Sequence, residues 1–239
     1  MLLAAALCPS PPLLVPEVAA GAATELDGMR TACDAAVGQM LDVGVGRVTV
    51  VGPGPRATFE SGAAGSLGPY GVDVRVALGP DAGGPAALPL SLTLGAWLLA
   101  RAGWSGAVDA HAVPEEATPD ECAALGRRLA GVEPGLGLLV LGDGSARRSL
   151  QAPGYLDPRA EAFDASVSRA LADGDPEALL GIDPALARAL LAVGRPAWQV
   201  LAGASRGSGT TSSRHRAELL HEASPYGVGY LVAVWCRPD

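Results

Sequence analysis

The sequence predicts a single layered α/β domain with a mostly parallel or mixed central sheet flanked by helices. Three observations carry this expectation. Segments of strand length recur: the continuous apolar run Leu2 to Cys8, the β-branched Arg47 to Val51, Ala107 to Val113 and the buried strand Leu136 to Leu141. Segments with helical spacing or helix-start signals lie between and after them. No repeat and no linker divides the 239 residues, so the chain reads as one domain over 1–239. Aromatic residues make up only 4% of the chain while 49% is hydrophobic, so the core must be built from Ala, Leu and Val.

Taken in order, Leu2 to Cys8 is a buried strand stopped by Pro9-Ser10-Pro11-Pro12, and Ala19 to Leu41 is a helix carrying Leu26, Met29, Cys33, Val37 and Met40 on one face. The β-branched strand Arg47 to Val51 ends at Gly52-Pro53-Gly54-Pro55. A Gly-rich loop, Glu60 to Tyr70, precedes the alternating, half-buried strand Val72 to Leu78. A nearly all-apolar helix spans Pro89 to Ala102, and Ala107 to Val113 is the next strand. The helix starting at Thr118 carries Glu121 three residues on, the spacing of a capping box. After the buried strand Leu136 to Leu141 come helices beginning near Pro158, Pro176, Pro184 and Pro196, each with proline in its first turn. Gly203 to Ser213 reads as a mobile Gly/Ser/Thr segment, and Tyr226 to Cys236 as a closing aromatic strand.

Composition excludes several function classes. All 17 basic residues are arginine, so a Walker-A loop, a Schiff-base lysine and a pyridoxal site are ruled out. A net charge of -8 with sparse arginine pairs argues against nucleic-acid binding. Four cysteines without a CxxC pair match a reducing compartment. The opening Leu2–Leu7 run lacks a basic flank and stops at Pro9, unlike a signal segment, and Ala86 to Ala100 is about three-quarters of a membrane span. A cytoplasmic protein without membrane association is the expectation.

Candidate chemistry is thin. Gly52 to Ala57 formally fits a dinucleotide fingerprint, but Pro53 and Pro55 lack the N–H groups that would cradle a pyrophosphate. Of three histidines, His111 sits in a strand, and His221 with Glu222 precedes the turn Ser224 to Tyr230. Asp143, Ser145, Arg147 and Arg148 follow a buried strand, where open α/β sheets place ligands. The two arginines there either clamp a carboxylate or phosphate, or stand solvated beside a turn capped by Asp143.

Four segments in order, Cys8-Pro-Ser-Pro-Pro-Leu-Leu-Val-Pro-Glu17, Leu141-Gly-Asp-Gly-Ser-Ala-Arg147, Glu161-Ala-Phe-Asp164 and Pro225-Tyr-Gly-Val-Gly-Tyr230, resemble the class III extradiol ring-cleavage dioxygenase superfamily, LigB-type catalytic subunit, in its short actinobacterial branch. The resemblance spans nearly the whole chain. It implies a LigB-like fold, a non-haem Fe(II) held by two histidines and a glutamate, and an acid/base histidine in a GDxSH-like loop. Here the first histidine's place is Ser10, the loop Gly52 to Arg56 has none, and the acid/base position is Ala146. Only Glu222 offers a counterpart to the carboxylate. The expectation is therefore a degenerate, non-ring-cleaving scaffold without a cofactor, binding a small aromatic or carboxylate ligand or a protein partner, with Ser10, Asp143, Ser145, Arg147 and His111 as cleft candidates. The alternative is an active dioxygenase or hydrolase that retains Fe(II) or another metal through a rearranged set of His111, His221 and Glu222, with Cys8 or Asp143. The family's habit of pairing subunits admits a homo-oligomer or a partner subunit.

Overall fold

A computed structural model describes residues 1–80, 84–132, 135–206 and 215–238. The chain begins with β1 (Leu2–Cys8), the short helix α1 (Pro16–Ala19), α2 (Asp27–Asp42) and β2 (Arg47–Pro53). There follow β3 (Ala57–Phe59), β4 (Ala64–Ser66), β5 (Arg75–Ala77), α3 (Leu90–Arg101), β6 (Ala107–Val113), α4 (Pro119–Val132) and β7 (Leu136–Leu141). The second half contributes α5 (Ala160–Ala172), α6 (Pro176–Leu180), α7 (Pro184–Ala189), α8 (Arg195–Arg206), β8 (Arg216–Ala223) and β9 (Tyr230–Cys236).

Seven strands form one sheet in the order β3-β6-β2-β7-β1-β9-β8. The inner four, β6, β2, β7 and β1, run parallel, while β3 at one edge and β9 beside β1 run against them, and β8 pairs antiparallel with β9 as the outermost strand. Every residue of β7 is buried, and so are six of the seven in β1. This is why those strands read as unbroken apolar runs: helices cover both faces, and no side of the pleat needs polar residues. Helices α2 and α3 pack Met29, Met40, Leu92 and Leu94 against Val48, Val50 and Ala110 on one face. Helices α5 and α8 pack Val167, Leu171, Val200 and Leu201 against Val51, Leu138 and Val140 on the other. The expected α/β architecture is therefore present as a single layered unit.

Helix starts follow local chemistry. Thr118 and Glu121 bond reciprocally, with the Thr118 N–H donating to Glu121 Oε2 at 2.8 Å and the Glu121 N–H donating to Thr118 Oγ1 at 3.2 Å. Asp175 and Asp183 cap α6 and α7 in front of Pro176 and Pro184. In a core poor in aromatics, helices meet through small residues. A Cβ on Gly126 of α4 would overlap the Val200 carbonyl oxygen of α8, and one on Gly203 would overlap the Ala123 carbonyl oxygen.

Several expectations need correction. Helix α2 begins at Asp27 rather than Ala19, because Ala20 takes φ 48° and the chain runs as a 3-10 segment to Leu26. The half-buried strand shortens to Arg75–Ala77, which pairs only with β4 inside the stretch expected as a Gly-rich loop, forming a separate two-stranded sheet. The closing strand starts at Tyr230, since Tyr226 turns the chain at φ 59°. Strands β3 and β8 were not anticipated. Of the segment read as mobile, Gly203 to Arg206 belong to α8, held there by the contact with α4, and 207–213 lie outside the described residues.

The α4–α8 contact yields a paired prediction. Gly126→Val forces the two backbones apart and should destabilise the protein by about 3 kcal/mol or more in urea unfolding. Gly38→Ala in α2, with nothing within 4 Å of the added carbon, should stabilise it by about 0.5–1 kcal/mol.

Candidate functional site

The four parallel strands deliver their carboxyl ends to one cavity of about 620 Å3. Ser10 comes from the turn after β1, Pro53 to Pro55 from the end of β2, Pro114 to Glu116 from the loop after β6, and Asp143 from the loop after β7. Leu90 and Ser91 at the start of α3 and Val193 before α8 complete it. This is the position at which open α/β sheets form ligand crevices, because loops there diverge from a common strand edge.

Polar bonds fix the cavity wall. The Ser10 N–H donates to Asp143 Oδ1 at 2.6 Å, and the Gly142 N–H donates to the Cys8 carbonyl at 3.0 Å, tying the ends of β1 and β7 together. The Ser91 hydroxyl donates to the Pro53 carbonyl at 2.6 Å. Arg195, 1% exposed, holds the loop after β6 from below: its guanidinium donates to the carbonyls of Glu115 and Ala117 and to Gln199 Oε1. The Gln199 amide in turn donates to the carbonyls of Leu179, Leu180 and Ile182, so this buried pair is satisfied. Desolvation pushes the Asp143 carboxyl up to about 6, against the opposing effect of the Ser10 hydrogen bond. The Tyr230 phenol nearby is raised by burial and, secondarily, by the Asp143 charge.

The remainder of the Gly142–Arg148 loop is structural. Asp164 on α5 is fully buried and accepts from the Ser145 N–H (2.8 Å), the Ser145 hydroxyl (2.6 Å) and Arg148 Nη1 (3.2 Å). Burial raises its carboxyl in spite of these bonds. The loop is also laced to the entry of β9, with the Gly144 N–H donating to the Gly229 carbonyl at 2.7 Å and the Gly229 N–H to the Ser145 carbonyl at 2.8 Å. A Cβ on either glycine would press into the Asp164 carboxylate.

Of the residues singled out from sequence, the structure brings Ser10 and Asp143 together and separates the others. Ser145 is fully buried with its hydroxyl committed to Asp164, so it presents no nucleophile. Arg148 pairs with Asp164 and lies 3.9 Å from Glu161, and neither it nor Arg147 lines the cavity, so the two-arginine clamp for a carboxylate is not formed. Ala146 bonds only through its backbone, to Leu190 and Gly154, and lies off the cavity.

The rearranged metal set is contradicted by topology. His111 is on β6, its Nδ1 3.1 Å from Thr58 Oγ1, whereas His221 and Glu222 are on β8, five strand spacings or about 24 Å across the sheet. As neighbours on one strand, His221 and Glu222 also point to opposite faces. His221 pairs across from Val232 and faces Gly28 of α2, while Glu222 pairs across from Leu231 and accepts from the Ser168 hydroxyl at 2.6 Å on α5. Cys8 is fully buried and does not line the cavity. The third histidine, His215, stacks on Trp235 at 6.2 Å. Among the described residues no three His, Cys, Asp or Glu side chains group to hold a metal ion, and no histidine lines the cavity. An Fe(II) held by two imidazoles and a carboxylate does not fit this donor set.

Sequence reasoning missed Glu115, Glu116, Ser91, Arg195 and Gln199. The first two were within reach, because a Glu pair directly after a buried parallel strand falls on the ligand-bearing edge. The others depend on contacts between distant segments.

No helix among the described residues is long and apolar enough to cross a membrane. No protein-family model and no curated protein matches the chain. Its fold is similar to the crystal structure of an uncharacterized protein, JW3007, from Escherichia coli K12, at 16% identity and a TM-score of 0.58, covering 98% of this chain and 99% of that one. At that identity the likeness speaks for the fold alone.

The raised Asp143 carboxyl makes a signed prediction. The folded protein holds a proton on Asp143 up to about pH 6, whereas the unfolded chain releases it near the ordinary 3.8, so this group's contribution to stability falls as pH rises from about 4 to 6 and stays low above. Asp143→Asn should therefore be more stable than wild type by about 3 kcal/mol at pH 7.5, with the difference vanishing near pH 4. Urea titrations of both proteins across that range test it, and an unchanged difference would contradict a desolvated carboxylate.

Proposed function

We propose that this chain is a ligand-binding scaffold built on a LigB-type extradiol dioxygenase fold, with the iron site of that family lost. One observation carries the reading: the two loops to which the resemblance assigns the iron-binding histidines, at Ser10 and at Gly52 to Arg56, meet in one cavity with Asp143. In place of imidazoles these loops offer a hydroxyl and prolines. A serine hydroxyl is a poor Fe(II) ligand, and Ala146 moves no proton, so neither dioxygen activation nor acid/base work at the family's positions is supported. The prolines and glycines that shape the loops remain, which keeps the cleft open for a small molecule. Metal analysis tests this. Protein purified without oxygen and offered Fe(II), Zn(II) and Mn(II) should hold well under one metal per chain, and no more than Asp143→Ala does. About one tightly held Fe(II) per chain, lost in that variant, would sink the proposal.

A second reading, a subunit of a homo-oligomer, is favoured by the loop after β7. Leu150 and Tyr155 are 68% and 73% exposed, Leu156 and Leu191 lie beside them, and Tyr155 and Leu191 are both held at φ 57°, a strained conformation for bulky residues. Sedimentation should then give twice the chain mass for wild type and the single-chain mass for Tyr155→Glu. A monomeric wild type would discard this reading.

A further inference from the structure

The cavity is electrically one-sided. Asp143 stands in its wall and Glu115 and Glu116 on its exposed rim, while among the described residues no arginine or histidine lines it. The nearby cations are committed: Arg195 to backbone carbonyls and Gln199, and Arg188 to the rim residue Glu115 at 3.8 Å, both side chains of that pair being about half exposed. One carboxylate oxygen of Asp143 takes the Ser10 N–H, and the other has no partner among the described residues.

A second observation is independent of charge. Ser10 is 6% exposed and lines the same cavity, yet its hydroxyl has no hydrogen-bond partner among the described residues. The oxygen itself is not shut off from solvent, so it opens onto the cavity where a guest or a water can reach it. The wall thus presents two adjacent acceptors, the Ser10 hydroxyl and the free oxygen of Asp143. Around them stand Pro53, Pro55, Leu90 and Val193, an apolar surround for the body of a guest whose polar end meets these two acceptors.

Resting on the ligand-binding reading above, we propose that the cavity takes a small organic cation. It is a primary ammonium or guanidinium group on a compact apolar body, donating to Asp143 and to the Ser10 hydroxyl. A carboxylate ligand would meet Asp143 and Glu116, neither of them paired with a cation among the described residues, and a neutral one would leave Asp143 uncompensated. Metal ions are disfavoured as the cation, since the carboxylates do not converge on one point.

Three probes of matched size separate these outcomes: phenethylamine, 2-phenylethanol and 3-phenylpropanoate, each titrated into the 15N-labelled chain and followed by amide shifts. The amine should shift the amides of Ser10, Gly54, Glu115 and Asp143 and bind at least about tenfold more tightly than the alcohol, with the carboxylate weakest. Asp143→Asn keeps an acceptor for the Ser10 N–H and should bring amine and alcohol to within about twofold of each other. Glu116→Gln, on the exposed rim where folding is not at stake, should weaken the amine by about twofold and leave the alcohol unchanged. Alcohol or carboxylate binding at the same amides as tightly as the amine would overturn the cation assignment and leave the small-molecule reading standing. No shift from any probe up to about 10 mM would overturn both.

Discussion

The buried carboxylate of Asp164 is the constraint on which the ligand-bearing edge depends. It reaches from α5 to gather a backbone N–H, a hydroxyl and a guanidinium from the loop after β7. Two glycines, Gly144 and Gly229, come so close to it that no side chain fits between. Removing one partner of such a cluster strands desolvated polar groups at a cost of several kcal/mol, on the order of 3–5 for a buried pair, which is a large share of a domain's stability. Since the same loop carries Asp143 and is laced to the entry of β9, the packing on one face of the sheet sets the position of the acid at the cavity.

Much of the fold was legible in the residues. Strands β1 and β7 coincide with apolar runs because both faces of the parallel sheet are covered there, so burial alone writes their length. Helices α4 and α6 to α8 were legible through proline and capping signals that act within one turn. Strand β8 was not, because Arg216 to Ala223 is half-exposed and polar and becomes a strand only by pairing with β9 at the sheet edge. The alternation over Val72 to Leu78 promised more than the three residues that β4 can partner. In each miss, tertiary pairing decided what local pattern left open.

The site was legible to a lesser degree and for a different reason. Ser10 and Asp143 were found because motif spacing places them after strands, and the carboxyl-end rule for α/β sheets does the rest. His111, His221 and Glu222 were grouped by residue chemistry without topology, and the sheet order separates them by its nearly full width. Ser145, Arg147 and Arg148 stood on the right loop, but a loop has an inner and an outer side. Asp164, whose place in the motif gave no hint of its role, pulls Ser145 and Arg148 inward toward α5 and away from the cavity.

The two loops that meet at the cavity carry no imidazole, and this sets its electrostatics. A carboxylate at the carboxyl ends of four parallel strands is stabilised by a positive partner, and in a chain without lysine this is an arginine or histidine, a proton or a bound cation. No arginine lines this cavity among the described residues. The proton serves up to about pH 6, where Asp143 titrates. Above that, the charge is held in place by the Ser10 N–H, which fixes its direction without neutralising it, while the Gly142 N–H ties the loop to the end of β1. The same interactions that keep the cleft in shape therefore also keep it in want of a cation, so preorganisation for a positively charged guest is part of what the fold maintains.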